Sequence, residues 1–126
     1  MKMEIYRCDH CGNIIVYLTD RKVPIHCCGE KMRLLKADVT DGAKEKHIPV
    51  FTHKDGQIVV EIGSVPHPML EEHWIEWIMI ETDQGVSVKW LKPGAKPEAA
   101  FALAKGESLK NVYEYCNIHG LWMKKA

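Results

Sequence analysis

The sequence predicts a mainly β protein in two parts, a small metal-stapled segment followed by a two-sheet antiparallel sandwich. Three observations lead there. Four of the five cysteines fall within the first 28 residues. The remainder reads as short β-rich runs broken by Gly and Pro turns. Nothing in the chain repeats, and no long stretch carries a helical period.

Composition sets the bounds. At 126 residues with 46% hydrophobic content, the chain is long enough to close a core, and its composition is not that of a disordered protein. Seventeen Lys and Arg balance seventeen Asp and Glu, which argues against nucleic acid or an anionic membrane as partner. No stretch approaches the roughly 18 apolar residues of a membrane span, and Met1 to Cys8 is too polar to open a secretory leader. A cytoplasmic location is the expectation. In a reducing compartment, an odd set of five cysteines with seven histidines reads as metal ligands rather than disulfides.

Residues 1–36 form the first predicted domain and 37–126 the second, with the boundary between Lys36 and Val39. The first carries seven basic and four acidic residues, the second ten and thirteen. Thirty-six residues are too few to hold a fold by apolar burial alone. The missing energy is expected from a metal. Cys8-Asp9-His10-Cys11-Gly12 is a Cys-x-x-Cys knuckle, and Cys27-Cys28-Gly29 supplies a second pair. Four thiolates suit a tetrahedral sulfur site for zinc or iron, between which the ligands alone do not choose. A thioredoxin-like dithiol needs a helix start after the motif, whereas here the run Ile14-Ile15-Val16 is β-branched. Adjacent Cys27 and Cys28 require a sharp bend to reach one ion, so a distorted tetrahedron is expected. His10 and His26 are bystanders beside a filled sulfur shell.

In the second domain, strands are predicted at Ile58–Ile62 after the Asp55-Gly56 turn, at Trp74–Ile80, at Val86–Trp90, at Val112–Tyr115 and at Leu121–Met123. Ala99–Ala104 is ambiguous between strand and helical turn. The four tryptophans are expected to fill the sandwich core, with Trp74 and Trp77 partial exceptions because they closely follow His73. Candidate ligands are His47, His53, His67, His73, Cys116 and His119. Cys116 and His119 stand three residues apart in a turn closed by Gly120, His67 lies between Pro66 and Pro68, and His73 begins a strand. If His47, His67, His73, His119 and Cys116 converge, five protein donors lean toward iron and leave one position of an octahedron open. The thiolate then pushes electron density toward whatever binds there. No haem or flavin motif is present.

The segments around these residues resemble desulfoferrodoxin, the two-iron class of superoxide reductase, over essentially the whole chain. Tyr6-Arg7-Cys8-Asp9-His10-Cys11-Gly12-Asn13 with Cys27-Cys28-Gly29-Glu30 is similar to its desulforedoxin-like, rubredoxin-related domain. Glu45-Lys46-His47-Ile48-Pro49 looks like its Glu-Lys-His-x-Pro motif. Gly63 to Met69, Glu72-His73-Trp74-Ile75, and Cys116 to Trp122 match its remaining iron-binding segments.

The resemblance implies an immunoglobulin-like β-sandwich and two irons per chain. One is an Fe(Cys)4 centre on Cys8, Cys11, Cys27 and Cys28. The other has His47, His67, His73 and His119 equatorial and Cys116 axial. It further implies Glu45 as the carboxylate that takes the sixth position in the ferric state, and Lys46 as the cation beside it. Superoxide is the implied substrate, a rubredoxin-like carrier the electron donor, and a homodimer the assembly. Backbone N–H groups of Asn117 and Ile118 are expected to moderate the thiolate. An iron electron carrier without substrate chemistry, a dismutase and a structural zinc protein are the neighbouring readings.

Overall fold

The computed structural model describes residues 3–38 and 42–126. Val39, the far end of the expected boundary, lies outside the described residues. The chain divides into two compact units, 1–36 and 37–126.

The first unit is built from two-residue strands: β1 (Tyr6–Arg7), β2 (Ile14–Ile15), β3 (His26–Cys27), β4 (Glu30–Lys31) and β5 (Arg33–Leu34). They pair antiparallel as a three-stranded sheet in the order β2-β1-β5 and a hairpin β3-β4. Its described buried apolar residues are Ile5, Cys8 and Met32, while Leu18, Val23, Ile25 and Leu34 are exposed. Such a core cannot hold a fold without a staple.

The second unit begins with α1 (Lys44–His47), the one helix among the described residues, followed by β6 (Pro49–Lys54) and β7 (Gln57–Ile62). Then come β8 (Ile75–Thr82), β9 (Val86–Trp90), β10 (Glu98–Ala102), β11 (Leu109–Cys116) and β12 (Gly120–Lys125). Two antiparallel sheets result, β10-β7-β6 and β12-β11-β8-β9. One apolar cluster joins them: Ile58, Val60 and Ile62 of β7 and Phe101 of β10 meet Ile75, Ile78 and Ile80 of β8 and Leu109, Val112 and Cys116 of β11. Alternation explains most of the choice, since residues two apart along a strand share a face, and the register shifts between Leu109 and Asn111 and between Tyr115 and Cys116 bring Leu109 and Ile75 to that face as well. No helix of the described residues is long and apolar enough to cross a membrane.

The mainly β character and every strand read from the sequence are present, and Ala99–Ala104 resolves as β10. Two expectations need correction. Trp77 and Trp122 are buried, but Trp74 is half-buried and Trp90 is 79% exposed. Trp90 ends β9, which pairs only with β8 and is exposed at all five residues. His73 does not begin a strand. It forms an isolated bridge with Leu70, two residues before β8.

Register gathers the candidate ligands of the second unit at one end of the two sheets. The start of β6 meets the end of β7 at Pro49↔Ile62, so the segments carrying His47 and His67 are neighbours. The start of β8 meets the end of β11 at Ile75↔Cys116, and Cys116 faces Gly120 across the hairpin holding His119. A register shift between Tyr115 and Cys116 falls at this end of the pair. Bulges of this kind re-aim side chains beside functional sites.

Candidate metal centres

In the first unit the four cysteine sulfurs lie within 4.8 Å of one another. Backbone geometry accounts for the adjacent pair. Cys27 faces Glu30 in the β3-β4 register, leaving Cys28 and Gly29 as a two-residue loop with φ of +54° and +79°. Both central residues at positive φ make this the hairpin turn whose twist suits short strands. It is also the sharp bend that the adjacent cysteines demanded.

Cys11 Sγ is 3.6 Å from Cys27 Sγ, and the Cys11 N–H donates to Cys8 Sγ at 3.4 Å. That N–H, with His10's, draws the Cys8 thiol down to about 6. The neighbouring sulfurs push Cys28 up to about 12 and raise Cys27 as well. Four sulfurs thus compete for anionic character at one point, the arrangement a cation relieves. Asp9, inside the knuckle, accepts a fork from Arg33 Nε and Nη2 and a bond from Arg7, tying the loop to β5. Neither His10 nor His26 belongs to the group.

In the second unit His47, His67, His73, His119 and Cys116 come together with donor atoms within 4.8 Å of one another, and His53 stands apart on β6. The four imidazoles occupy the corners of a square. Ring centroids of neighbours are 4.6 Å (His47–His67), 4.7 Å (His67–His73), 5.1 Å (His73–His119) and 4.7 Å (His119–His47), each pair steeply inclined. Across the square, His47 and His73 are 6.5 Å apart and inclined by only 28°, the diagonal such sides require. Cys116, wholly buried in the apolar cluster, closes the group from the core, its sulfur 3.9 Å from His119 Nδ1.

The tautomers follow from the partners. His47 Nδ1 lies 2.8 Å from the Ala43 carbonyl and His67 Nδ1 2.6 Å from that of Pro68. A carbonyl only accepts, so both Nδ1 atoms carry the hydrogen and both Nε2 atoms present lone pairs. Those lone pairs face each other at 3.1 Å, and His47 Nε2 is 3.0 Å from His119 Nδ1. His73 Nε2 is buried without a partner. Lone pairs converging this closely call for a shared cation.

Protonation does not supply it readily, because burial lowers the pKa of His47 and His73 and brings His67 down to about 4. The Lys46 charge lowers His47 and His73 further. A soft-to-borderline metal ion fits this set of neutral nitrogens and one sulfur.

Burial raises the Cys116 thiol, while the N–H groups of His119 and Ile118 oppose that rise. The His119 N–H reaches the sulfur at 3.4 Å. The expectation for Asn117 is corrected, since its N–H donates to the Trp74 carbonyl instead. Glu45 and Lys46 are exposed on α1, in the same helical turn as His47. Their backbone is set by Gly63, at φ +85°, where a Cβ would lie 2.7 Å from the Glu45 carbonyl oxygen and 2.8 Å from the Lys46 carbonyl carbon. Trp122 stacks on His47 at 4.9 Å and donates its indole N–H to the His119 carbonyl.

Glu114 is a residue the sequence reading passed over. It is wholly buried two positions before Cys116, neither carboxyl oxygen has a partner among the described residues, and burial raises its pKa well above the ordinary carboxylate value. Only its place on a strand with inward-facing Val112 and Cys116 signals this.

A family model for desulfoferrodoxin matches residues 39–125, and one for the desulfoferrodoxin N-terminal domain matches residues 1–35. The chain belongs to the desulfoferrodoxin family. It is 49% identical to desulfoferrodoxin of Nitratidesulfovibrio vulgaris over 124 residues, covering 98% of this chain and 96% of that one. Among solved structures it is similar to the superoxide reductase of Treponema pallidum, with a TM-score of 0.84 and 32% identity over 99% of this chain and 100% of that one. A superoxide reductase from Giardia intestinalis, 30% identical with a TM-score of 0.56, covers 66% of this chain and 98% of its own. The chain therefore has a superoxide-reductase-like fold with two metal-binding clusters, one of four cysteines and one of four histidines and a cysteine.

Proposed function

We propose that the chain is a superoxide reductase: superoxide, one electron and two protons give hydrogen peroxide. The square of four imidazoles closed by a buried thiol carries the reading. Residues 37–126 form an immunoglobulin-like catalytic sandwich in which His47, His67, His73, His119 and Cys116 would hold one iron. Residues 1–36 form a desulforedoxin-like domain in which Cys8, Cys11, Cys27 and Cys28 would hold the other. A ferrous iron bound by the five donors of the sandwich would supply an electron and a place for a small anion.

The residues divide the remaining work. Cys116 lies on the core side of the square, so the opposite face is the one left for substrate. Its sulfur donates charge, and the N–H groups of His119 and Ile118 take part of that charge back. Lys46 draws the superoxide anion in from solvent and stabilises negative oxygen beside the site. The Glu45 carboxylate would take the place of the substrate between turnovers. Their common helical turn with His47 supports both roles. Electrons come from a reduced carrier of rubredoxin type, the assembly is a homodimer, and the compartment is the cytoplasm.

The test is the product balance when anaerobically reduced protein meets a measured pulse of superoxide. One peroxide per superoxide, without dioxygen, is expected. Half a peroxide with matching dioxygen makes the protein a dismutase, and consumption at the spontaneous rate makes it an electron carrier.

A further inference from the structure

The four histidines of the second centre are not held in the same way. His47 and His67 are anchored through Nδ1 to the carbonyls of Ala43 and Pro68. His119 sits in the hairpin with its N–H on the Cys116 sulfur and its carbonyl on the Trp122 indole. The His73 ring has no such anchor among the described residues, and its buried Nε2 is unpartnered. Its place is set through the backbone. The N–H and carbonyl of His73 are exchanged with those of Leu70, at 3.1 and 2.9 Å.

The peptide groups on either side of His73 are taken by one side chain from the opposite loop. Asn117 Oδ1 accepts the Trp74 N–H at 2.9 Å, and Asn117 Nδ2 donates to the Glu72 carbonyl at 3.0 Å. The Asn117 N–H adds a bond to the Trp74 carbonyl at 3.3 Å. One carboxamide thus brackets His73 from both flanks, using its acceptor and its donor at once. Asn117 directly follows Cys116 and stands two residues before His119.

We propose that Asn117 is a positioning residue of the second centre, locking the His73 segment to the Cys116–His119 hairpin so that three of the five donor side chains form one body. The proposal rests on reading these five residues as a metal site. The β8-β11 ladder ends here at Ile75 and Cys116, His73 lies beyond it in the approach to β8, and a ligand outside the ladder keeps its angle only if something fixes it to the others. Among side chains of this size only an amide serves. Aspartate retains an acceptor for Trp74 but sets a carboxylate oxygen against the Glu72 carbonyl, and alanine loses both bonds.

The experiment uses the full chain loaded anaerobically with cobalt(II) at both centres. The thiolate-to-cobalt absorption of the second centre is defined as the part missing in Cys116→Ser. Asn117→Ala and Asn117→Asp are compared with the unaltered chain and with Thr82→Ala. The last removes the Thr82 hydroxyl bond to Glu107 at the far end of β8, and so weakens the same unit away from the site. Both Asn117 variants are expected to release cobalt from the second centre to excess chelator on the order of 10–100-fold faster. They are also expected to shift the thiolate band, while Thr82→Ala keeps the original rate and band. Unchanged rate and band in the Asn117 variants overturn the proposal, as does equal acceleration in Thr82→Ala at matched thermal stability. Asn117→Asp, nearly isosteric, decides alone if the alanine variant does not fold. A spectrum of the unaltered chain that Cys116→Ser leaves untouched overturns the centre itself, and the proposal with it.

Discussion

Lys46 shows how one charge acts in a protein with none to spare. The chain is neutral overall, so attraction of a small anion must be local. The Lys46 ammonium is close enough to disfavour protonation of both His47 and His73, and the same field favours an anion at the open face. Lys46→Ala is expected to slow bimolecular superoxide capture by on the order of tenfold and to flatten its dependence on ionic strength, as pulse-radiolysis rates across a salt series will show. Iron content should stay unchanged. Cys116→Ser is expected to abolish the sulfur-to-iron absorption and the activity together, because a buried hydroxyl neither donates like a thiolate nor loses its proton there. A spectrum retaining that band would move the sulfur ligand elsewhere.

At the scale of elements, hairpins bring the site together, and the ends of strands carry it. The end of β8 furthest from the ligands is fastened by Glu107, which accepts from the Thr82 hydroxyl and from the Ala104 N–H. These bonds lower the Glu107 pKa, the Thr82 hydroxyl contributing most. A carboxyl lowered on folding stabilises the protein above its unfolded pKa of 4.5, and the contribution is lost as pH falls through the folded value. Glu107→Gln is therefore expected to flatten the fall in stability below about pH 4.5, read as urea midpoints of the second unit across that range. The elements differ in how much the sequence reveals. The candidate donors were legible because the chain is rich in histidine and cysteine, and the family resemblance separated His53 from the five that converge. β6 was not read, although Asp55 and Gly56, at φ of +51° and +76°, form a hairpin turn that requires a strand before it as well as after. Trp90 misled because alternation with Ser87 and Lys89 marks a strand but not whether its sheet face is covered. The Asn117 carboxamide and Glu114 were invisible for a related reason. Their importance lies in partners 43 to 45 residues away and in missing partners respectively, and neither leaves a local pattern.

Across the whole molecule, two units differ in how much apolar burial holds them together. The second has a continuous apolar cluster spanning both its sheets, whereas the first has three buried apolar residues among those described. Exhaustive chelation is expected to unfold residues 1–36 while the β-sheet of the second unit persists, seen as collapse of first-unit amide dispersion in two-dimensional NMR. An intact first unit in metal-free protein would assign its stability to something other than the sulfur site. The placement of the thiols has a chemical consequence for endurance. Hydrogen peroxide, the product, is itself an oxidant of thiolates, carrying those it can reach to sulfenic and sulfinic acids, and a bound metal would hold all five sulfurs as thiolates so that exposure separates them. Cys11 and Cys28 are open to solvent, while Cys116 is sealed beneath isoleucine and valine. As peroxide accumulates, damage falls first on the four-sulfur unit, and the sulfur on which turnover depends is the last to be spent.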